Sequence, residues 1–437
     1  MSKNNSINKW LSVLLASILL TFSTCNSSQK KSSDQDTEID SVKVNPAKAM
    51  FPVPAPHSGL KFWWTGICNA NTAEINAYQD WAVFVTGDSS FHVDLVSTYL
   101  GWEHFKTMAD MEENYIKHSE KFKDICINQP SEMLIVLAMG QVPAELSNTN
   151  GKRPQTWTEI ADGKYDNSYK LFYETLKKVM DGRYAGWNAQ IPDRRAAEDL
   201  PYSRIILRLN WEWNRPKRGY HHVANGNLAD FKKACRRFME IGREIMPGIR
   251  FDCHPTRARY TENGVGYKLS EAIDIQDWDF VGMALHEDVG EKGEHRINLG
   301  AIGYDASSPD SFNENDWAVV LFGSGGKSGV EEGDLWGLDD VARLARGNGK
   351  GLTMPEWSPQ QVWRARRGPS LHGGRDFAEH VWDFCFQNRD ILCYEAGFDG
   401  PQGKMFPKSL ASEDGSVWQW PAVISEKWLN PANRKEY

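Results

Sequence analysis

Short apolar runs rich in β-branched and aromatic residues alternate with longer amphipathic segments between residue 60 and residue 395. Such runs are typical of buried strands, and apolar residues spaced three or four apart are typical of helices. The clearest helical pattern is Leu228–Met246, which stops before Pro247. We predict eight strands, at Leu60–Gly66, Phe91–Tyr99, Met133–Met139, Arg204–Trp211, Ile249–Cys253, Phe280–Leu285, Gly351–Pro355 and Ile391–Tyr394.

This regular alternation favours a parallel sheet, because a helix commonly connects one parallel strand to the next. Eight such units can close into a (β/α)8 TIM barrel, an α/β fold that occupies about 200 to over 400 residues. An open doubly wound sheet is the alternative, but no G-x-G-x-x-G motif follows the first strand. We therefore predict a single catalytic (β/α)8 barrel over residues 49–437.

The first 24 residues follow a different pattern. Two lysines precede an apolar run from Leu11 to Phe22, which is shorter than the roughly 20 residues that a membrane span needs. The run ends in Ser-Thr and then Cys25. This segment resembles a bacterial lipoprotein signal, which implies cleavage after residue 24 and lipidation of Cys25; ordinary secretion is the alternative. Residues 25–48 are polar and serine-rich and predict a flexible tether.

The expected location is therefore outside the bacterial cytoplasm, either secreted or held at the cell envelope, in the periplasm or at the outer-membrane surface. The only membrane contact expected is the lipid at Cys25. Loss of residues 1–24 removes two lysines and lowers the net charge from −8 to −10. A net negative charge argues against a nucleic-acid-binding protein, and 41% hydrophobic residues argue against disorder. The cysteine spacing matches no metal or redox motif, so we predict no metal and no cofactor and leave the oligomeric state open.

Two glutamates follow predicted strands at the end where barrels carry their active sites. Glu212 follows the fourth strand in RIILRLNWEWN, and Glu356 follows the seventh in GLTMPEWSP. On opposite sides of a barrel mouth, such a pair can flank a glycosidic bond, which needs a proton donor and a second carboxylate. The tryptophans beside Glu212 would favour its protonated form. Glu287 and Glu395 are rival candidates, and a salt-bridged structural glutamate is the alternative for each position.

The two motifs resemble the retaining (β/α)8 glycoside hydrolases of clan A, and within the clan glycoside hydrolase family 26 and related families. The resemblance implies that Glu212 is the acid/base and Glu356 the nucleophile. It also implies supporting roles for Arg208 and Asn214, which lie four residues before and two residues after Glu212. The chain has Trp211 where family 26 usually has histidine, so a neighbouring family of the clan fits equally well.

Tryptophan is abundant, with 18 in the chain, and indole rings can stack on the C–H face of a sugar. Many of these rings, together with arginines and histidines, lie near predicted strand ends; core packing is the alternative for each ring. The predicted sugar-binding residues are Trp63, Trp64, Arg208, Trp211, Trp213, Asn214, Arg215, Arg218, His254, Arg257, Arg259, His286, Trp357, Trp363, Arg364 and Tyr394.

Cations recur in three predicted mouth loops, which begin at Arg215, Arg257 and Arg364. Arginine binds sulfate and carboxylate groups with paired donors, so the loops favour an anionic polysaccharide. A lipoprotein hydrolase with such a mouth resembles bacterial carrageenase-type enzymes, which implies endo-acting cleavage of a sulfated algal galactan. Neutral β-mannan or β-1,3-xylan is the second substrate class. A non-catalytic glycan-binding protein and a polysaccharide lyase are the other functional alternatives.

Overall fold

A computed structural model of the chain describes residues 63–68, 95–100, 133–141, 156–190, 202–214, 223, 226–286, 314–325, 327–328, 335–358, 375–398, 426–427, 430 and 432. These residues all belong to 43–437, the larger of the two units into which the chain divides. The predicted signal peptide, Cys25 and the tether lie outside the described residues.

Eight parallel strands form a closed ring. In ring order they are β1 (Trp64–Cys68), β2 (Leu95–Leu100), β3 (Leu134–Met139), β4 (Ile205–Leu209), β5 (Arg250–Cys253), β8 (Phe280–Gly282), β10 (Gly351–Ser358) and β11 (Leu392–Phe398). β11 pairs with β10 on one side and with β1 on the other, which closes the barrel and excludes the open-sheet alternative. A short strand, β9 (Leu285–His286), adds to the end of β10. β6 (Thr261–Glu262) and β7 (Val265–Gly266) form a separate hairpin.

Helices separate the strands along the chain. In the described residues they are α1 (Thr156–Ala161), α2 (Asp166–Gln190), α3 (Leu228–Ile245), α4 (Leu269–Ala272), α5 (Glu314–Phe322), α6 (Leu338–Gly347) and α7 (Arg375–Gln387). None of these helices has the length and apolar character required to cross a membrane.

The predicted helix at Leu228–Met246 is confirmed as α3. Its first turn is capped by Asn227, whose side chain accepts a hydrogen bond of 2.8 Å from the backbone N–H of Asp230. Its apolar stripe, with Phe238 at the centre, packs against Tyr169 and Tyr173 of α2. The helix ends at Pro247-Gly248, where the glycine takes a positive φ of 95°.

All eight predicted strands are present, but their boundaries differ by up to four residues, and three of the differences affect the candidate site. β1 begins at Trp64, four residues later than predicted. The predicted sixth strand is divided into β8 and β9. β10 continues through Glu356 to Ser358, so the glutamate lies within the strand and not after it.

Alternate residues of each strand enter two separate cores, as the pleat of a strand requires. The barrel interior holds one cluster, which includes Trp64, Leu134, Ile206, Phe280 and Tyr394. The second, larger cluster joins the outward faces of the strands to the helices. Five free cysteines, including Cys253 of β5, are buried in the described residues.

Candidate active site

Arg208 and Glu356 form an ion pair inside the barrel. Arg208 lies on β4, the fourth strand, and its Nη2 donates to Oε1 of Glu356 on β10, the seventh strand. Its Nη1 donates to the carbonyl oxygen of Pro355 at 2.9 Å. Both charged side chains are buried, with exposed fractions of 0% and 4%. Burial lowers the pKa of Arg208, but Glu356 together with Cys68, Tyr99 and Tyr394 outweighs it, and the pKa lies above its usual range. The arginine is therefore a fixed cation in contact with the carboxylate.

Tyr99 of β2 is a second donor to the same carboxylate oxygen. Its hydroxyl donates to Oε1 of Glu356, and the guanidinium carbon of Arg208 lies 5.5 Å from the centre of its ring. Burial and the charge of Glu356 raise the pKa of Tyr99 well above its usual value, so its hydroxyl keeps its proton. The ring also packs edge-on against Trp211, with 5.3 Å between centroids. Tyr99 therefore joins Glu356 to the half-buried Trp211 beside Glu212.

An extra residue in β10 turns Glu356 toward the barrel interior. Thr353 contacts the interior carboxylate Asp252, and Met354 packs in the outer cluster. Strict alternation would then place position 356 outside. Between Met354 and Trp357, β10 advances three residues while β11 advances two, from Glu395 to Gly397. This bulge, which contains Pro355, reverses the alternation, so Glu356 faces inward and Trp357 outward.

Glu212 lies in a tightly anchored turn after β4. Asn210 and Glu212 have positive φ values of 52° and 55°, a conformation that asparagine tolerates and glutamate rarely adopts. The backbone N–H of Glu212 donates to the carbonyl oxygen of His254 at 2.7 Å. The Asn210 side chain pairs with Gln141 at the end of β3, with both hydrogen bonds at 2.9 Å. Such strain is kept where surrounding contacts enforce it, and it places Glu212 at the carboxyl end of the barrel.

Asn214 anchors the second half of the same turn. Its Oδ1 accepts from the backbone N–H of Thr256 at 2.7 Å, and its Nδ2 donates to the carbonyl oxygens of Thr256, at 3.0 Å, and Ala258. Asn214 is buried. Its amide therefore holds the Glu212 turn against the segment after β5, which is a structural role instead of the predicted sugar-binding one.

Asp252 is a second buried carboxylate of the interior, which the sequence analysis missed. It is the register neighbour of Arg208, and it accepts hydrogen bonds from Thr353 Oγ1 at 3.0 Å and from the Tyr394 hydroxyl at 2.5 Å. Burial raises the pKa of Asp252 to about 7, although the two hydroxyl donors and Arg208 act in the opposite direction. The sequence signal was a lone acid in an otherwise apolar strand. Tyr394, predicted to bind sugar, is instead its interior partner.

Glu395, the rival carboxylate of the eighth strand, faces away from the barrel interior. It lies opposite the outward-facing Met354, accepts from the Thr65 hydroxyl, and accepts from Trp357 Nε1 at 2.6 Å. Trp357 is fully buried in the outer cluster. Neither residue therefore reaches the same space as Glu356, which removes Glu395 as a candidate nucleophile and Trp357 as a sugar-stacking ring.

Two tryptophans predicted at the mouth lie at the opposite end of the barrel. Because β1 begins at Trp64, the pair Trp63 and Trp64 lies at the start of the strand instead of near its end. Trp63 packs on Trp382 of α7 with 5.4 Å between centroids, and the guanidinium of Arg204, at the amino end of β4, lies over Trp64. The boundary error in β1 thus produced the wrong placement.

The predicted site residues after β4 and β5 are largely structural. Trp213 is buried against Phe231 of α3, with 5.2 Å between centroids. Arg257 is buried and donates to the carbonyl oxygen of Val319; burial lowers its pKa to about 9, against the opposing charge of Asp340. Arg259 donates to the Tyr267 carbonyl oxygen at 2.8 Å. These side chains bind backbone or fill the core and do not reach the Glu356 carboxylate.

His254 is buried directly after β5, and its carbonyl oxygen accepts the hydrogen bond from the backbone N–H of Glu212. His286 ends β9, beside Ser358 of β10. Arg215, Arg218, Glu287, Trp363 and Arg364 lie outside the described residues. No group of three or more His, Cys, Asp and Glu side chains in the described ranges is arranged to hold a metal ion.

Comparisons with known proteins give likeness of fold only. No protein-family model and no curated protein matches the chain. Among solved structures, GH26C from a Muricauda species is 10% identical, with 87% of this chain and 86% of that chain covered and a TM-score of 0.47. A Cellulomonas fimi endo-β-1,4-mannanase double mutant is 11% identical, with 89% and 76% covered and a TM-score of 0.49. The catalytic domain of a Bacillus GH26 endo-β-1,4-mannanase is 12% identical, with 88% and 90% covered and a TM-score of 0.47. At such scores the chemistry must be argued from the chain's own residues.

Proposed function

We propose that the protein is an endo-acting retaining glycoside hydrolase, with Glu356 as nucleophile and Glu212 as acid/base. The observation that carries the proposal is the contact of Arg208 and Tyr99 with one oxygen of Glu356. A nucleophilic carboxylate must be anionic and oriented. A buried cation stabilises the anion, and two donors from two strands fix its direction. A glycan-binding protein has no need to hold a buried carboxylate in this way.

In the first step, a carboxylate oxygen of Glu356 attacks the anomeric carbon and forms a glycosyl ester. The bond from that carbon to the leaving oxygen breaks, and Glu212, in its acid form, gives its proton to that oxygen. The electron pair of the broken bond stays with the leaving oxygen, which departs as an alcohol. Arg208 and Tyr99 stay in contact with the Glu356 carboxyl group throughout the step.

In the second step, Glu212, now a carboxylate, takes a proton from water. The resulting oxygen nucleophile attacks the anomeric carbon and releases Glu356 as a carboxylate, so both residues return to their starting forms. The half-buried Glu212 suits this exchange because it lies beside Trp211, which excludes part of the solvent, while water can still reach the carboxyl group. Its anchored backbone keeps the acid in place for both steps.

An anionic polysaccharide, specifically a sulfated galactan of the carrageenan type, remains the leading substrate class. Fewer arginines support an anionic substrate than the sequence indicated, because Arg257 and Arg259 bind backbone carbonyl oxygens. The remaining support for an anionic substrate is the sequence prediction for Arg215, Arg218 and Arg364, which lie outside the described residues. Neutral β-mannan or β-1,3-xylan is the second substrate class, because Arg208, the cation in contact with Glu356, is engaged by that carboxylate and by Pro355.

The test is release of reducing ends from carrageenans, β-mannan and β-1,3-xylan by the wild type and by Glu212→Gln and Glu356→Gln. We expect the wild type to cut one class of glycan and both variants to lose nearly all activity. A matched control is Asp340→Asn, which changes a buried carboxylate of α6 and should remain active. Full activity in both catalytic variants would overturn the assignment. A wild type that binds these glycans without cutting them would support the glycan-binding alternative, and a product that absorbs in the ultraviolet would indicate a lyase.

A further inference from the structure

We propose that Glu395 is a positioning residue that acts through Trp357 to hold the bulge that presents Glu356. This inference rests on the proposed function, because it assigns Glu395 a part in orienting the nucleophile. Glu395 itself lies on the helix-facing side of β11 and contacts no reacting group.

The bulge decides which side chain of β10 faces the barrel interior. If the same residues formed a regular ladder from Met354 onward, Glu356 would face outward and Trp357 inward, since side chains alternate with a period of two. Pro355 lacks a backbone N–H and therefore cannot complete a regular ladder there. The contacts on either side of the bulge decide which side chain faces the interior.

On the interior side, Arg208 holds the bulge through the Pro355 carbonyl oxygen and through Glu356. On the outer side, the Trp357 indole N–H donates to Glu395 Oε2 at 2.6 Å. This contact runs diagonally across the two strands, because Trp357 is opposite Gly397 and Glu395 lies two residues earlier. An inward Trp357 would lose this partner and leave the carboxylate without that donor.

Glu395 is in turn fixed by the neighbouring strand. Its other oxygen, Oε1, accepts from Thr65 Oγ1 on β1, which is its register partner. The Glu395 carboxylate also acts on the helix layer. Burial is the main cause of the raised pKa of Cys385 on α7, and the negative charge of Glu395 raises it further. Glu395 of β11 thus connects three strands, because it accepts hydrogen bonds from Trp357 of β10 and from Thr65 of β1.

The experiment compares Glu395→Leu, Glu395→Gln and Trp357→Phe in the full chain, on the glycan that the wild type cuts. Glutamine keeps an acceptor for the indole, leucine removes it, and phenylalanine removes the donor while keeping most of the ring. We expect Glu395→Leu and Trp357→Phe to lower kcat by on the order of ten- to a hundred-fold, with KM changed less than about three-fold. Glu395→Gln should stay within about five-fold of the wild type, and the Leu/Phe double variant should be no worse than the poorer single variant.

The matched control is Ile135→Ala, a buried outward-facing position on β3 that does not contact the bulge. It should lower the melting temperature and leave kcat nearly unchanged. An equal kcat in Glu395→Leu and the wild type would overturn the proposal, as would a Glu395→Gln variant as poor as the leucine variant. A wild type without hydrolytic activity is a different result, since it would reject the proposed function itself. In that case a crystal structure of Glu395→Leu tests the inference. The proposal predicts that the Glu356 side chain is displaced from its position in the barrel interior, and an unchanged position would contradict it.

Discussion

The guanidinium of Arg208 reaches from the fourth strand of the barrel to the seventh and holds Glu356 by its carboxylate and, through Pro355, by its backbone. One side chain therefore fixes both the charge environment and the direction of the proposed nucleophile. The two residues are 148 positions apart in the chain, so only closure of the barrel brings them together.

Arg208→Lys should lower kcat by on the order of a hundred-fold while the protein stays folded. Lysine keeps the charge but cannot donate to Pro355 and Glu356 in the same fixed geometry. Arg208→Met should also cost about 3–5 kcal/mol of unfolding free energy, because it leaves a buried carboxylate without its cation. Steady-state kinetics and chemical denaturation measure the two effects. A lysine variant with wild-type kcat would show that the paired guanidinium donors to Pro355 and Glu356 are not required for turnover.

Tyr99→Phe should lower kcat by about ten-fold, because a charge-assisted hydrogen bond is worth about 1.5–3 kcal/mol and the phenyl ring keeps the contact with Trp211. The matched control is Tyr202→Phe, which removes the hydroxyl of another buried tyrosine, the donor to Asp181 of α2 at 2.5 Å. Both variants should lose stability, but only Tyr99→Phe should lose turnover. Similar kcat values for the two variants would show that the Tyr99 hydroxyl does not contribute to catalysis.

Asp252→Asn should change how stability depends on pH. The native carboxyl group keeps its proton up to about pH 7, whereas in the unfolded chain it ionises near pH ~4. Unfolding between these values releases a proton, so the wild-type free energy of unfolding falls as pH rises from about 4 to about 7. In the asparagine variant, the free energy of unfolding should lack this part of the dependence on pH. Denaturant unfolding at several pH values measures it, and parallel curves for the two proteins would contradict the assignment.

Gly282→Ala should damage both stability and activity. A methyl group at this position of β8 would lie 2.0 Å from Thr353 Oγ1 and 2.8 Å from Pro355 Cδ, so the bulge would have to move. Overpacking of this kind costs about 1–3 kcal/mol. Gly347→Ala at the end of α6 is the control, because its methyl group would meet nothing within 4 Å. Thermal unfolding and kcat are compared, and wild-type activity in Gly282→Ala would show that the bulge tolerates displacement.

Arg257→Met should leave KM for an anionic glycan unchanged and should keep or raise the melting temperature. The arginine is buried, its pKa is lowered to about 9, and its Nε and Nη1 have no hydrogen-bond partner in the structure. Burying a cation costs free energy of desolvation, and an apolar side chain of similar volume does not carry that cost. A KM raised several-fold would instead return Arg257 to the substrate site.

The strand pattern was readable from sequence because buried parallel strands leave a strong apolar signal, and eight of them implied a closed barrel. The same pattern placed Glu212 and Glu356 after the fourth and seventh strands. It could not show the bulge at Pro355, because an extra residue changes the facing of side chains without changing their composition. A four-residue error at β1 was enough to assign Trp63 and Trp64 to the wrong end of the barrel.

Side-chain contacts between distant strands were also beyond the sequence. Tyr99 and Asp252 gain their importance from Glu356, Arg208 and Tyr394, which approach from other strands. Arginines on loops looked like ligands for an anion, but Arg257 and Arg259 satisfy backbone carbonyl groups of their own chain. A residue type alone does not distinguish these two uses.

Trapping of the covalent intermediate tests the central claim most directly. The protein is incubated with 2-deoxy-2-fluoro-glycosyl fluorides of galactose and mannose, which form the glycosyl ester readily and hydrolyse it slowly, and the adduct is located by peptide mass spectrometry. We predict one adduct, on Glu356 in the wild type, and none in Glu356→Gln. An adduct on another carboxylate such as Asp252 or Glu395, or cleavage of a glycan with inversion at the anomeric carbon, would contradict the account.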